Sequence, residues 1–377
     1  MTPPTIVREP PRATGATVAI ERRSGGRGTR ATDLVAVEEP LEIHLNGWRW
    51  LVTMRTPGDD ADLLLGLLAS EGVIAGAADV ESILFTRHPE EPDLANVAEV
   101  RLTAPLVELQ ARLARHQVLS GSSCGLCGKS AVEALLARHA PLADGPALAA
   151  AMLERIPDLL VASQPVFAAT GGLHAAALLD RHGTVLAARE DIGRHNAVDK
   201  VLGWRLRAGG AGDAAGVLVV SGRASFEIVQ KALAAGLPAI AAISAPSSLA
   251  VTLARDANMT LVGFARDGGY NVYAGGTRLL PSTSADVEEA RSVAASPAPP
   301  ADDDLEFIPT AVRRALDAAL LKISLVDWQA LERAERTELV ALADAGSAAV
   351  FAARLTAVVV ARTGRAPRPL TATKDAR

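Results

Sequence analysis

The sequence predicts an α/β protein. In its second half, strand-length apolar runs alternate with helix-length segments, and Gly or Pro marks many of the changes. The composition agrees: 49% of residues are hydrophobic but only 3% are aromatic, so a large core must be assembled from Ala, Val, Leu and Ile. At 377 residues the chain has room for two or three domains.

Taken in order, residues 1–30 are rich in Pro, Arg, Gly and Thr without periodicity and are expected to be a disordered N-terminal arm. Structure is expected from residue 31. Leu34–Val37, Leu41–Leu45 and Trp48–Thr53 have strand patterns, and Asn46-Gly47 is a hairpin signal between the last two. After Pro57-Gly58-Asp59-Asp60, the run Ala61–Ser70 predicts a helix with Leu63, Leu64, Leu67 and Leu68 on its apolar face. Strand resumes at Val97–Leu102.

Further on, Val217–Val220, Ala239–Ile243 and Thr260–Phe264 are predicted strands, separated by helices at Phe226–Ala235 and Ser248–Asp256. This alternation predicts βαβ units and a mostly parallel sheet, whose following loops gather at one edge. Those loops are Ser221-Gly222-Arg223, Ser244-Ala245-Pro246-Ser247 and Arg266-Asp267-Gly268-Gly269, a composition suited to phosphate or pyrophosphate. The main domain is expected over residues 31–280, with a Ser/Ala/Pro/Asp linker at 281–304. A small helical domain is expected at 305–362 and a disordered tail at 363–377.

Charged residues make up 21% and the net charge is -5, which argues against general nucleic-acid binding. No apolar run is long enough to span a bilayer and no secretory h-region follows the N-terminal arginines, so a cytoplasmic protein without a membrane role is expected.

Cys124 and Cys127 are the only cysteines, in the stretch Ser123-Cys124-Gly125-Leu126-Cys127-Gly128. A structural zinc site would need two histidines, and neither His116 nor His139 belongs to a paired motif. A c-type haem needs a histidine where Gly128 stands. Gly128-Lys129-Ser130 resembles the end of a P-loop, but the required first glycine is Ser123. Zinc deamination needs a proline before the first cysteine, and Ser123 stands there instead.

Redox exchange remains open, but the preceding Ser120-Gly121-Ser122-Ser123 is unlike the strand that precedes a thioredoxin-type motif. A nucleophilic or sulfur-carrying thiol fits best. Glycines make the loop pliable, and Lys129 and the predicted helix Ser130–His139 favour thiolate.

Several blocks together resemble the FdhD family of formate dehydrogenase accessory sulfurtransferases. They are Glu38-Glu39-Pro40-Leu41 with Asn46-Gly47, Thr56-Pro57, Leu65-Gly66 and Ser70-Glu71-Gly72. The cysteine motif, Thr170-Gly171-Gly172-Leu173-His174 and Glu190–Lys200 follow, then Ser221-Gly222-Arg223 and Gly263-Phe264-Ala265-Arg266. The resemblance implies a cytidine-deaminase-like three-layer core with a smaller N-terminal α+β part, in a homodimer. It implies that sulfur is taken from a cysteine desulfurase and passed to the molybdenum bis(molybdopterin guanine dinucleotide) cofactor of formate dehydrogenase.

Under the resemblance Cys124 is the persulfide-bearing residue, Cys127 its companion, and Phe264, Ala265, Arg266, Asp267, Gly268 and Gly269 the cofactor-binding segment. The cofactor is then a bound substrate, and no tightly held metal belongs to the protein itself. The alternative is a cofactor-binding chaperone that moves no sulfur.

Arg194, His195 and Asn196 begin a helix, where they suit a phosphate or a dimer partner, or else an ordinary cap with surface charge. His174 is expected to be a hydrogen-bonded structural histidine. Glu38 and Glu39, adjacent on a strand, point to opposite faces and do not form a catalytic pair.

Phe307-Ile308-Pro309, Val312-Arg313, Leu316-Asp317, Ile323-Ser324-Leu325 and Trp328–Leu331 resemble the small nitrate-reductase-associated family. That resemblance widens the expected partners from formate dehydrogenase to a nitrate reductase or another molybdoenzyme.

Overall fold

A computed structural model describes residues 5–6, 12–24, 27–87, 96–111, 113, 136, 139–145, 147–209, 216–266, 268–280, 308, 312, 315–316, 318–323, 325–344 and 348–369. The chain divides into two compact units, Met1–Val293 and Ala294–Arg377.

The first unit begins with β1 (Thr5–Ile6), β2 (Gly15–Ser24), β3 (Arg27–Ala36), β4 (Glu39–Leu45) and β5 (Trp48–Arg55), followed by α1 (Asp60–Ser70), β6 (Val80–Thr86) and β7 (Val97–Leu102). Gly15–Ser24 and Arg27–Ala36, most of which the sequence assigned to a disordered arm, instead pair antiparallel as β2 and β3, from Gly15↔Ala36 to Ser24↔Arg27. Asn46 and Gly47 both take positive φ between β4 and β5, as a two-residue hairpin turn requires. A five-stranded sheet in the order β1-β6-β7-β4-β5 packs one face on α1. Leu63, Leu64 and Leu68 are wholly buried there against Leu41, Ile43 and Ile83.

The larger layer contains β8 (Leu148–Ala149), α2 (Ala150–Glu154), α3 (Ile156–Ala162), α4 (Pro165–Thr170), β9 (His174–Leu179), β10 (Val185–Asp191) and α5 (Arg194–Ala208). It continues with β11 (Val217–Val220), α6 (Phe226–Ala234), β12 (Ala239–Ala242), α7 (Ser248–Asp256), β13 (Thr260–Arg266), β14 (Gly269–Ala274) and β15 (Leu279–Leu280). The six-stranded sheet has the order β10-β9-β11-β12-β13-β14. It is mixed, not mostly parallel: β11–β12 and β12–β13 are parallel and the other three pairings are antiparallel.

Because strand side chains alternate between faces, the sheet feeds two cores. Ala176, Leu178, Leu218, Val220, Ile240 and Ala242 face α5, α6 and α7. Ala175, Ala177, Val217, Val219, Ala239 and Ala241 face α2 and α3. The result is a three-layer α/β/α arrangement.

The two parts of this unit meet through α1 and α5. A Cβ on Gly66 would lie 1.8 Å from the Asp199 carbonyl oxygen, and one on Gly203 would lie 1.8 Å from that of Asp62. The backbones touch, so only glycine fits at either position. Asp62 receives Arg189 and Arg207, at 3.0 and 2.8 Å.

The second unit contains β16 (Leu321–Lys322), α8 (Leu325–Gln329), α9 (Arg333–Asp344), α10 (Ala348–Thr363) and β17 (Arg368–Pro369). It is mainly helical and has its own core, with Val312, Trp328, Leu339, Phe351 and Leu355 all at 0% exposure. Among the described residues no helix is long and apolar enough to cross a membrane.

Candidate functional site

The pairing directions determine which residues share an edge. β11 runs antiparallel to β9, with Val220 opposite Ala176, so the end of β11 lies beside the start of β9. β10 pairs Asp191 with His174, which brings the start of α5 to the same place. β12 and β13 end there too because they run parallel to β11.

The loops interlock. Ser247 N–H donates to the Ala224 carbonyl at 3.0 Å, and Phe264 N–H donates to the Ser244 carbonyl at 3.2 Å. Ser221 Oγ accepts from Ala175 N–H at 2.9 Å, closing the seam between β9 and β11. The strand ends that lead into the three expected loops are therefore linked.

The segment from Phe264 to Gly269 closes the hairpin between β13 and β14, with Arg266 paired to Gly269. Phe264 takes φ 53°, a left-handed conformation that a bulky residue adopts only under constraint. The constraint is the preceding residue. A Cβ on Gly263 would lie 2.9 Å from Pro246 Cδ and 3.0 Å from the Tyr273 ring, so the β12 loop presses on the backbone there. Ala265 is wholly buried among the α2–α3 core residues, so its side chain cannot meet a ligand. Arg266 is exposed, with its guanidinium 5.4 Å from the Phe264 ring centroid, within cation–π reach. Gly268, at φ 73°, supplies the turn. Asp267 lies outside the described residues, as do Cys124, Cys127 and almost all of the predicted helix Ser130–His139.

At the start of α5 the sequence left two readings, and the structure divides them by residue. Asn196 is a tether: its Nδ2 donates to the Met54 carbonyl at 2.7 Å and to Asp191 Oδ1 at 3.1 Å. His195 pairs with Glu227 at 2.8 Å, and this hydrogen bond is the main cause holding the Glu227 carboxyl below its ordinary range. Arg194 Nε is buried without a hydrogen-bond partner.

Asp191, at 0% exposure, is the hub beneath them. It accepts from the backbone N–H groups of Thr56 and Gly193, at 3.2 and 2.8 Å, and pairs with buried Lys200 at 2.9 Å. Lys200 Nζ also donates to the Thr56 carbonyl at 2.9 Å. Thr56-Pro57 and Glu190–Lys200 thus belong to one buried polar network, a connection across more than 130 residues that no local pattern reveals. Glu190 turns the other way and accepts from Val166 and Phe167 N–H, at 2.9 and 2.6 Å, capping α4.

The His174 side chain makes no hydrogen bond among the described residues, contrary to the expectation of a bonded structural histidine. Burial first, then the nearby Arg194 and Arg223, lowers its pKa from the ordinary histidine value.

Residues 36–280 match the model of the FdhD/NarQ family. The chain belongs to the FdhD/NarQ family. A sulfur carrier protein FdhD from Anaeromyxobacter dehalogenans is 49% identical over 280 residues, covering 71% of this chain and 96% of that protein. The sulfur carrier protein FdhD of Nocardia farcinica is 52% identical over 254 residues, covering 66% and 89%. Among solved structures, one described as a formate dehydrogenase accessory protein from Desulfotalea psychrophila aligns with a TM-score of 0.55. It has 26% identity and covers 71% of this chain and all of that one. Residues 300–376 match a second family model, the conserved nitrate reductase-associated protein.

Proposed function

We propose that this FdhD/NarQ protein is a sulfur carrier for a molybdoenzyme of the formate dehydrogenase type, and that Cys124 carries the sulfur as a persulfide. One observation supports this most directly. The relatives named as sulfur carriers match over nearly their whole length, and Cys124 and Cys127 are the only thiols the sequence has to offer.

In the transfer, the Cys124 thiolate attacks the terminal sulfur of a cysteine desulfurase persulfide. The new S–S bond forms on Cys124 as the old one breaks, and the donor leaves as a thiolate. No net oxidation occurs. Cys127 resolves or receives that sulfur. The acceptor is the bis(molybdopterin guanine dinucleotide) form of the molybdenum cofactor, held as substrate at Phe264–Gly269. Arg266 offers charge there, and the turn at Gly268-Gly269 allows close approach of the backbone. The protein is expected to act in the cytoplasm as a homodimer.

Incubation with a cysteine desulfurase and cysteine should add the mass of one sulfur at Cys124. Cys124→Ala should abolish maturation of the client enzyme while preserving the fold. A Cys124→Ala protein that still matures its client fully would end the persulfide reading. It would favour a chaperone that shields the cofactor without moving sulfur.

A further inference from the structure

His174 and Arg194 both approach Gly222, and neither makes an ion pair among the described residues. A Cβ at Gly222 would lie 3.6 Å from His174 Nδ1 and 3.9 Å from Arg194 Cδ, so the missing side chain leaves a gap flanked by imidazole and guanidinium. Arg223 follows next in the loop and is exposed. Among the described residues neither Arg194 nor Arg223 makes an ion pair, and Arg194 Nε and Ser225 Oγ are buried without a hydrogen bond. Ser225 is the N-cap of α6 and its hydroxyl does not cap the helix.

Two carboxylates lie close by, and both are committed. Asp191 is bound to Lys200 and two backbone N–H groups, and Glu227 is bound to His195. Among the described residues, both guanidinium groups therefore lack a carboxylate partner. Desolvated donors without an acceptor are costly unless something supplies one.

We infer that His174, Arg194, Arg223 and Ser225 form a second anion subsite around Gly222, which takes a diphosphate group. This rests on the reading that the sheet edge receives a nucleotide-bearing cofactor. Two guanidiniums without a carboxylate partner match the two charges of a diphosphate diester, and arginine suits phosphate oxygens through its paired donors. The subsite adjoins the Phe264–Gly269 segment through the β12 loop. Ala224 bridges to Pro246, and Pro246 in turn abuts Gly263. A cofactor carrying two nucleotide arms has two diphosphates to place, and this edge then offers a seat for each.

Calorimetric titration of the full chain with inorganic pyrophosphate, orthophosphate and GDP tests the assignment. Pyrophosphate should bind more tightly than orthophosphate, and the affinity should fall with added salt. Arg194→Gln and Arg223→Gln should each weaken pyrophosphate binding by about tenfold or more, the scale expected for a charge-assisted contact. Absence of binding, equal affinity for the two anions, or unchanged affinity in both variants would overturn the subsite, as would a loss confined to Arg266→Gln.

A readout in the unsubstituted protein guards against misfolded variants. An anion seated beside His174 favours its protonated form, so pyrophosphate should raise the imidazole pKa seen by NMR. An unmoved His174 titration also overturns the proposal. Sulfur loading of Cys124, measured in parallel, reports on the sulfur-carrier reading alone, so the two can fail separately.

Discussion

The buried charges of this protein hold its chain together across long sequence separations. Asp191 and Lys200 are both at most 1% exposed, and Asp191 collects backbone donors from Thr56 and Gly193 together with Asn196 Nδ2. Removing one partner of a buried pair leaves an uncompensated charge, at a cost of about 3–5 kcal/mol. Asp191→Ala, which also orphans those three donors, is expected at or above the top of that range, and Lys200→Met lower. Chemical denaturation curves of the two variants check both the size and the order. Glu71 is the opposite case. Burial first, then nearby Asp199 and Glu227, raises its pKa above the ordinary carboxyl value near 4.5, against the pull of Lys231. A raised folded-state pKa means that stability is fully present below the unfolded value and declines as pH rises through the folded one. Glu71→Gln should therefore raise Tm at pH 7, and the gain should vanish below about pH 4.5. A variant less stable than the parent at pH 7 would show that the carboxylate is satisfied where it lies. None of these pairings is visible from sequence spacing, because the partners lie far apart in the chain.

At the scale of elements, legibility followed burial. The apolar runs at Val217–Val220 and Ala239–Ala242 are wholly buried strands, and their pattern was plain in the sequence. The helix at Ser248–Asp256 has the boundaries its pattern predicts, and its N-cap Ser247 accepts from Ala250 N–H. The β2–β3 pair was missed because most of its residues are exposed or only partly buried, so no alternation of apolar side chains announces it. The sheet was expected to be mostly parallel because β11, β12 and β13 dominate the apolar signal. The antiparallel β9 and β10 lie outside that run, and strand direction is not encoded in hydrophobicity. They matter most for the site, since they bring His174 and Asp191 to the edge that the parallel strands define. The loops at that edge were legible as a composition, whereas the convergence of His174, Arg194 and Arg223 required the strand order. The contact between α1 and α5 yields a prediction at this scale. Gly66→Ala and Gly203→Ala each force two backbones apart, and each is expected to cost about 1–3 kcal/mol or more by overpacking. A Cβ on Gly203 would also lie 2.8 Å from Gly66 N. The double variant should therefore cost less than the sum of the two, because one displacement relieves both clashes. Strict additivity in denaturation measurements would mean that the two glycines act independently.

At the scale of the whole molecule, the chain joins two units with separate cores and separate family matches. The first holds every described residue of the proposed sites, and the family match at 36–280 falls within it. The second closes its own core around Trp328, Phe351 and Leu355, with Arg362 paired to Glu332 and Glu335 and Arg354 to Glu338 on its surface. The Anaeromyxobacter relative, matched over 96% of its length by 71% of this chain, is accounted for almost entirely without the C-terminal unit. A core that closes on itself does not depend on a neighbour for burial. A chain ending at Val293 should therefore fold, keep its thermal transition within a few degrees, and accept sulfur at Cys124 as readily as the full protein. What it should lose is choice of client. If the nitrate reductase-associated unit directs the carrier to a molybdoenzyme, maturation of that enzyme should fall while sulfur loading stays intact. Should truncation abolish sulfur loading as well, the second unit must take part in the transfer itself, and the division of labour between carrier and client selection would have to be abandoned.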